Sequence, residues 1–129
     1  SLGNLARRCW SEGTSILSHD TEADELRCLA LAIHELLGRL PVTMRSRNRP
    51  GVRCEDGEVI DTPYTGPMLE ESMKRGSIVR RLSTSGPYRG LPIIAVPIMR
   101  KREAIACMAT MDLGKGTYSD LLAKLAERY

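Results

Sequence analysis

Two loops concentrate the residues that can bind a small molecule. Asp61-Thr-Pro-Tyr-Thr-Gly66 carries Tyr64 and Thr65, and Ser85-Gly-Pro-Tyr-Arg-Gly90 carries Tyr88 and Arg89. Pro67 is suited to the first position of a helix, so Thr65 and Gly66 precede free backbone N–H groups and the positive end of a helix dipole. That arrangement favours an anion. Arg89 offers a planar donor fork that grips a carboxylate through two bonds. Neither loop has the spacing of a phosphate-binding glycine loop, and both also read as plain glycine-proline turns.

Arg45, Arg47, Arg49 and Arg53 form the densest positive cluster. Strand alternation puts Arg45 and Arg47 on one face, which is either a solvated surface or an anion patch. No aromatic residue interleaves these arginines, so a stacking platform for nucleic acid is not expected. The other reactive side chains do not assemble into a catalytic set. His34 borders the apolar stripe of a helix and reads as a packed or surface residue. Cys54-Glu55-Asp56 reads as a hairpin end, and Cys107 as a small core residue. Cys9, Cys28, Cys54 and Cys107 contain no Cys-x-x-Cys pair, and only His19 and His34 accompany them. A reduced, cytoplasmic protein without metal or cofactor is therefore expected, and an enzyme is the less favoured class.

The composition agrees with a globular chain. Of 129 residues, 42% are hydrophobic and the net charge is only +3, too small to argue for nucleic acid. The basic residues are lopsided, 15 Arg against 4 Lys. Phe is absent, so aliphatic residues, Met and Ala must fill the core. No apolar run approaches the ~18–20 residues that span a bilayer, and no membrane association is expected.

The elements that must position these groups follow from periodicity. The chain opens on Ser1, and residues 1–19 read as an N-terminal helical arm, in part foreign to the domain that follows over 20–129. In that arm Leu2, Leu5, Ala6, Cys9 and Trp10 share one helical face. A firmer helix over 21–37 carries Leu26, Leu29, Ala30, Ile33, Leu36 and Leu37 as its stripe. Thr21 and Asp24 resemble a capping box, and Gly38 stands at its end. Residues 41–47 alternate as a strand. Asp56-Gly57 marks a tight hairpin between 52–55 and 58–61, and 62–66 reads as a loop. A short helix runs from Pro67 to about Arg75 and closes at Gly76. Strands follow at 78–82, 91–99 and 104–112, then a helix over 117–129. Ile93 to Ile98 is apolar on both faces and reads as a central, doubly covered strand, with Pro97 marking a bulge. Short connections make the last three strands antiparallel.

Pro97-Ile98, the charged turn, and Glu103-Ala-Ile-Ala-Cys-Met108 resemble the latter half of PAS and GAF sensor domains, and the element order from about residue 21 is similar to theirs. The fold class is accordingly expected to be α+β and PAS/GAF-like (profilin-like), a curved antiparallel five-stranded sheet with flanking helices. Leu29-Ala-Leu-Ala-Ile-His-Glu-Leu36, Leu40-Pro-Val-Thr-Met-Arg45, Asp61 to Glu70 and Ser85 to Gly90 resemble, more specifically, a family of uncharacterised proteins from methanogenic archaea. That likeness implies an archaeal protein and carries no activity with it. In a PAS/GAF-like layout the short helix and the following strands frame a pocket. Tyr64, Thr65, Gly66, Tyr88 and Arg89, with Arg45, are then its expected ligand-binding residues. The resulting expectation is a non-enzymatic sensory or regulatory domain for a small anionic metabolite, dimerising through its terminal helices. The alternative is a ligand-free interaction or dimerisation module using the N-terminal arm and the far face of residues 21–37, where Cys28 and Leu31 lie.

Overall fold

Alternation along Val42-Thr-Met-Arg-Ser46 sends Val42, Met44 and Ser46 to one face of a sheet and Thr43 and Arg45 to the other, and both faces are buried. The computed structural model describes residues 17–113 and 123–127. Within them two helices, α1 (Ala23–Leu36) and α2 (Pro67–Arg75), accompany six strands. These are β1 (Val42–Ser46), β2 (Gly51–Glu55), β3 (Glu58–Tyr64), β4 (Val79–Leu82), β5 (Pro92–Arg100) and β6 (Glu103–Met111). The sheet is antiparallel throughout, in the order β3-β2-β1-β6-β5-β4. It thus consists of two three-stranded meanders joined where β1 pairs β6.

The architecture is α+β with flanking helices, but the sheet has six strands rather than five. The strand over 41–47 and both hairpin arms pair as separate strands, so the hairpin adds to the first strand instead of replacing it. The stretch from 62 that reads as loop also continues β3 to Tyr64, paired with Gly51. The Asp56-Gly57 turn has φ values of 53° and 80°, as a type I′ hairpin requires, and Gly satisfies the second without a Cβ penalty.

Each helix covers a different half of the sheet, on opposite faces. α1 lies on β1, β2 and β3, where Leu26 and Ala30 meet Val42, Met44, Val52 and Cys54. Its N-cap is Glu22, in a reciprocal capping box with Glu25, one residue beyond the expected Thr21–Asp24 pair. Leu36, expected on the stripe, is 85% exposed. α2 lies on β6, β5 and β4, where Met68, Leu69 and Met73 meet Ala95, Cys107 and Ala109. It starts on Pro67 and closes on Gly76, as expected.

The prolines of β5 have a simple explanation. The amide of Asp112 donates to the carbonyl of Pro92, so that pair is hydrogen-bonded, and alternation makes Pro97↔Cys107 a non-hydrogen-bonded pair. The nitrogen of Pro97 therefore faces away from β6, toward the side of β4. Pairing with β4 ends at Val79↔Ala95, before Pro97 is reached. No ladder donor is missing at Pro97, and at Pro92 the one donor lost falls on the first residue of the strand. The register break falls one residue later, between Ile98 and Met99. Nor is β5 fully covered: Ile93 and Ala95 are buried under α2, but Val96 on the opposite face is 39% exposed. The expected N-terminal helix over 2–12 lies outside the described residues. So does most of the expected helix over 117–129, of which 123–126 form one exposed helical turn.

Candidate functional site

The site grows from the face of the sheet beneath α2. Thr43 pairs with Arg53 and with Ala109, so strand pairing alone lines up Arg53, Thr43 and Ala109 across three strands. Bulges on either side of Arg53 disturb its register against β3. Its guanidinium carbon lies 6.0 Å from the ring centre of Tyr64 and 5.9 Å from that of Tyr88, within cation–π reach of both. Two carboxylates attend it at ion-pair distance, Glu55 and Asp61, each at 3.7 Å. Neither satisfies its Nε, which is buried without a hydrogen-bond partner. A buried donor left unpaired costs about 1–3 kcal/mol.

Tyr88 completes the group. Its hydroxyl donates to Glu55 Oε1 at 2.7 Å. Burial, and then the bond and charge of Glu55, hold the phenol far above its ordinary ionisation range. Burial also raises Tyr64, against the opposing charge of Arg53. Both hydroxyls thus stay protonated at neutral pH.

Tyr64 and Tyr88 border a narrow cleft between the start of α2 and the sheet, with Thr43, Gly66, Ile93 and Ala109. Its volume of about 30 Å³ has room for one or two waters. A second void of about 10 Å³ also borders Tyr88, Thr43, Ile93 and Ala109. A larger depression, about 330 Å³, runs past Glu22, Asp24, Arg49 and Pro63. Its walls are mainly exposed residues, and none of the expected site residues borders it.

The six expected residues therefore separate. Tyr64, Gly66 and Tyr88 meet at the cleft. Thr65 is exposed just before α2, and Arg89 is exposed on the loop beside Tyr88; neither borders the cleft. Arg45 is engaged elsewhere. Its side chain is only 11% exposed, bonded to the carbonyls of Ser46 and Arg47 and paired with Glu70 at 3.3 Å. Arg47 likewise donates to the carbonyl of Ala104. These two arginines tie β1 to α2 and β6 instead of forming a solvated patch.

Other titratable groups are used structurally. His34 is fully buried: Nε2 accepts from the Gly57 amide at 2.9 Å, and Nδ1 lies 2.6 Å from the carbonyl of Leu40. That pattern fixes a neutral ring protonated on Nδ1. Burial pushes the Cys107 thiol up to about 11, away from nucleophilic chemistry. Among the described residues no three His, Cys, Asp or Glu side chains are grouped as a metal site, and no helix is long and apolar enough to cross a membrane.

Sequence reading puts Arg53 in the positive cluster and Glu55 at a hairpin end, and assigns neither to this site. Counting back from the Asn48-Arg-Pro-Gly51 turn would have set Arg53 against Thr43. What hides them is that both stand in a run that also reads as an ordinary charged hairpin.

Comparison with known proteins agrees with the archaeal resemblance. The GAF domain of an Acinetobacter phosphoenolpyruvate-protein phosphotransferase is a similar solved structure, at 14% identity and a TM-score of 0.47, with 98% of this chain and 88% of that one aligned. The uncharacterized protein MJ0405 of Methanocaldococcus jannaschii is 42% identical over 107 residues, 83% of this chain and 82% of the relative. Residues 33–114 match the model of a family described as an uncharacterized protein conserved in archaea, and the chain belongs to that family, DUF2111.

Proposed function

We propose that this chain is a non-enzymatic sensory or regulatory domain that binds a small molecule in the cleft between α2 and the sheet. One observation carries the reading: the cleft lies between α2 and the sheet, and one of its walls, Tyr88, is a side chain delivered by a surface loop. Ligand pockets hold about 300–1,000 Å³, far more than this closed cleft, so binding requires the Tyr88 loop to move aside. Gly86 and Gly90, with φ of 77° and 84°, bracket Tyr88 and give the loop two left-handed pivots. An anionic group on the ligand would lie at the start of α2, where the N-cap Gly66 has no side chain to cap the first-turn N–H groups. Tyr64, Thr65, Gly66, Tyr88 and Arg89 are the proposed contacts, with Arg45 supporting from its bond to Glu70.

The test is a thermal-shift and calorimetric screen of the full chain against a metabolite panel. At least one saturable rise in Tm is expected, and Ala109→Leu, which fills the cleft, should remove it. A panel without a saturable hit on either the wild-type chain or Tyr88→Ala overturns the reading.

A second reading, a homodimer, draws on the face opposite α2. There Leu82 is 59% exposed, Val96 is exposed and Ile94 half-buried, while Ile98 packs against the core under α1. Sedimentation should give a dimer that Val96→Glu converts to monomer; a monomeric wild-type chain at high concentration removes this reading.

A further inference from the structure

The loop from Ser83 to Leu91 is bonded to itself. The Ser83 amide donates to the Leu91 carbonyl at 2.9 Å and the Gly90 amide to the Ser83 carbonyl at 2.8 Å. The Arg89 and Leu91 amides close inner turns on Gly86 and Tyr88, and the Ser83 hydroxyl bonds the Ser85 carbonyl. Residues 84–87 and 89–91 are exposed, and Tyr88 alone among them turns inward. Among the described residues, the loop's hydrogen bond to the rest of the molecule is the one from Tyr88 to Glu55. The two voids beside it share Thr43, Tyr88, Ile93 and Ala109, so the Tyr88 ring stands between parts of one larger space.

We infer that Tyr88 is a self-ligand: it holds the place of a planar aromatic ring bearing an O–H or N–H donor, and such a ligand displaces it. The inference rests on the small-molecule reading above and names the ligand's chemistry. With the ring withdrawn, the two voids join into a space on the order of 150 Å³, the scale that encloses one six-membered ring. Ala109 and Thr43 are small enough to leave flat walls. Arg53 rewards a π face, and Glu55 accepts a hydrogen bond but repels a second carboxylate. Any negative charge on the ligand must therefore lie away from Glu55. An incoming ring also competes with one tethered nearby at an effective concentration in the millimolar range. Latching thus sets the sensitivity of the site.

p-Cresol reproduces the Tyr88 side chain, toluene lacks its donor, and 4-methylbenzoate replaces the donor with an anion. Titration of the full chain by calorimetry and NMR compares them. Tyr88→Ala is expected to bind p-cresol at least tenfold more tightly than the wild-type chain does, and tenfold more tightly than it binds toluene or 4-methylbenzoate. Tyr88→Phe keeps the ring but loses the latch, so p-cresol should bind it about tenfold more tightly than wild type. A folded Tyr88→Ala chain that binds p-cresol no better than wild type, or binds all three probes alike, overturns the inference. If Tyr88→Ala does not fold, equal p-cresol affinity for Tyr88→Phe and wild type does the same. A metabolite hit on the wild-type chain without p-cresol rescue removes the self-ligand and spares the small-molecule reading. Rescue with no metabolite hit does the reverse.

Discussion

Under α1, Leu26, Ala30, Val42, Met44, Val52 and Cys54 are at most 1% exposed, and the buried His34 has both ring nitrogens bonded. Under α2, Thr43, Ile93 and Ala109 border two small voids beside Tyr88, and Arg53 keeps an unpaired Nε. The same sheet thus carries a closed half and an unfinished one. Polar groups in the closed half find partners within their own meander: His34 bonds the hairpin turn at Gly57. On the α2 face Ser72 bonds Ala95 within its own half, while Arg47 to Ala104 and Tyr88 to Glu55 cross the seam between meanders. Stability is concentrated where contacts are local and complete, and room for change lies where they are borrowed from the other meander.

The strongest test of the closed half is Gly51→Ala. A Cβ at Gly51 would overlap the carbonyl oxygen of Met44 and stand 2.7 Å from the Arg45 Cα, both backbone atoms that cannot swing away. β2 would be pushed from β1, and a loss above about 4 kcal/mol, or no folded protein, is expected by urea denaturation. A wild-type midpoint in that variant would show the closed half to be softer than its packing implies. His34→Ala comes next. It strands the Gly57 amide and the Leu40 carbonyl and opens a cavity, together about 3–4 kcal/mol. Tyr88→Phe, by contrast, removes one bond at a half-exposed loop and should cost about 1–2 kcal/mol. Equal urea midpoints for these two variants would erase the contrast between the halves.

The smallest effect is a pH dependence. Cys107 is raised from 9.0 to about 11, Cys54 is raised from the same ordinary value, and Tyr64 and Tyr88 are raised above 10.0. Above pH 9 the unfolded chain releases these protons first and so binds fewer of them than the native state. Stability is then complete below pH 9 and falls as pH rises toward the native-state values. Three of the four groups lie on the α2 side. Urea midpoints between pH 8 and 11 should decline, and Cys107→Ala should flatten the decline more than Cys54→Ala. The opposite order would place the alkaline sensitivity under α1.

Sequence periodicity is informative where one physical signal acts alone. Pro67 and Gly76 bound α2 because one lacks a donor and the other accepts φ of 66°. Asp56-Gly57 turns a hairpin for the same kind of reason. The site is less legible because it depends on register. Tyr64 and Tyr88 stand out as rare aromatics, but Arg53 and Glu55 join them only once β2 is placed against β1 and the loop is folded back. Arg45 shows the reverse error: its charge reads as a surface feature until two backbone carbonyls and Glu70 are found around it. The expectation of a doubly covered β5 fails similarly, because apolar side chains on both faces do not say which helix will cover them.

Among the described residues, no strand lies beside the outer side of β5 past Ala95, and an unpaired edge of this kind is a template for another chain. The residue there is Pro97, whose nitrogen points outward without a hydrogen to offer. The register break that follows carries the edge away from straightness, and Arg100 ends the strand with a charge. What begins as an interruption in an apolar run therefore serves as a guard against intermolecular sheet growth, at the stretch where β4 leaves β5 uncovered.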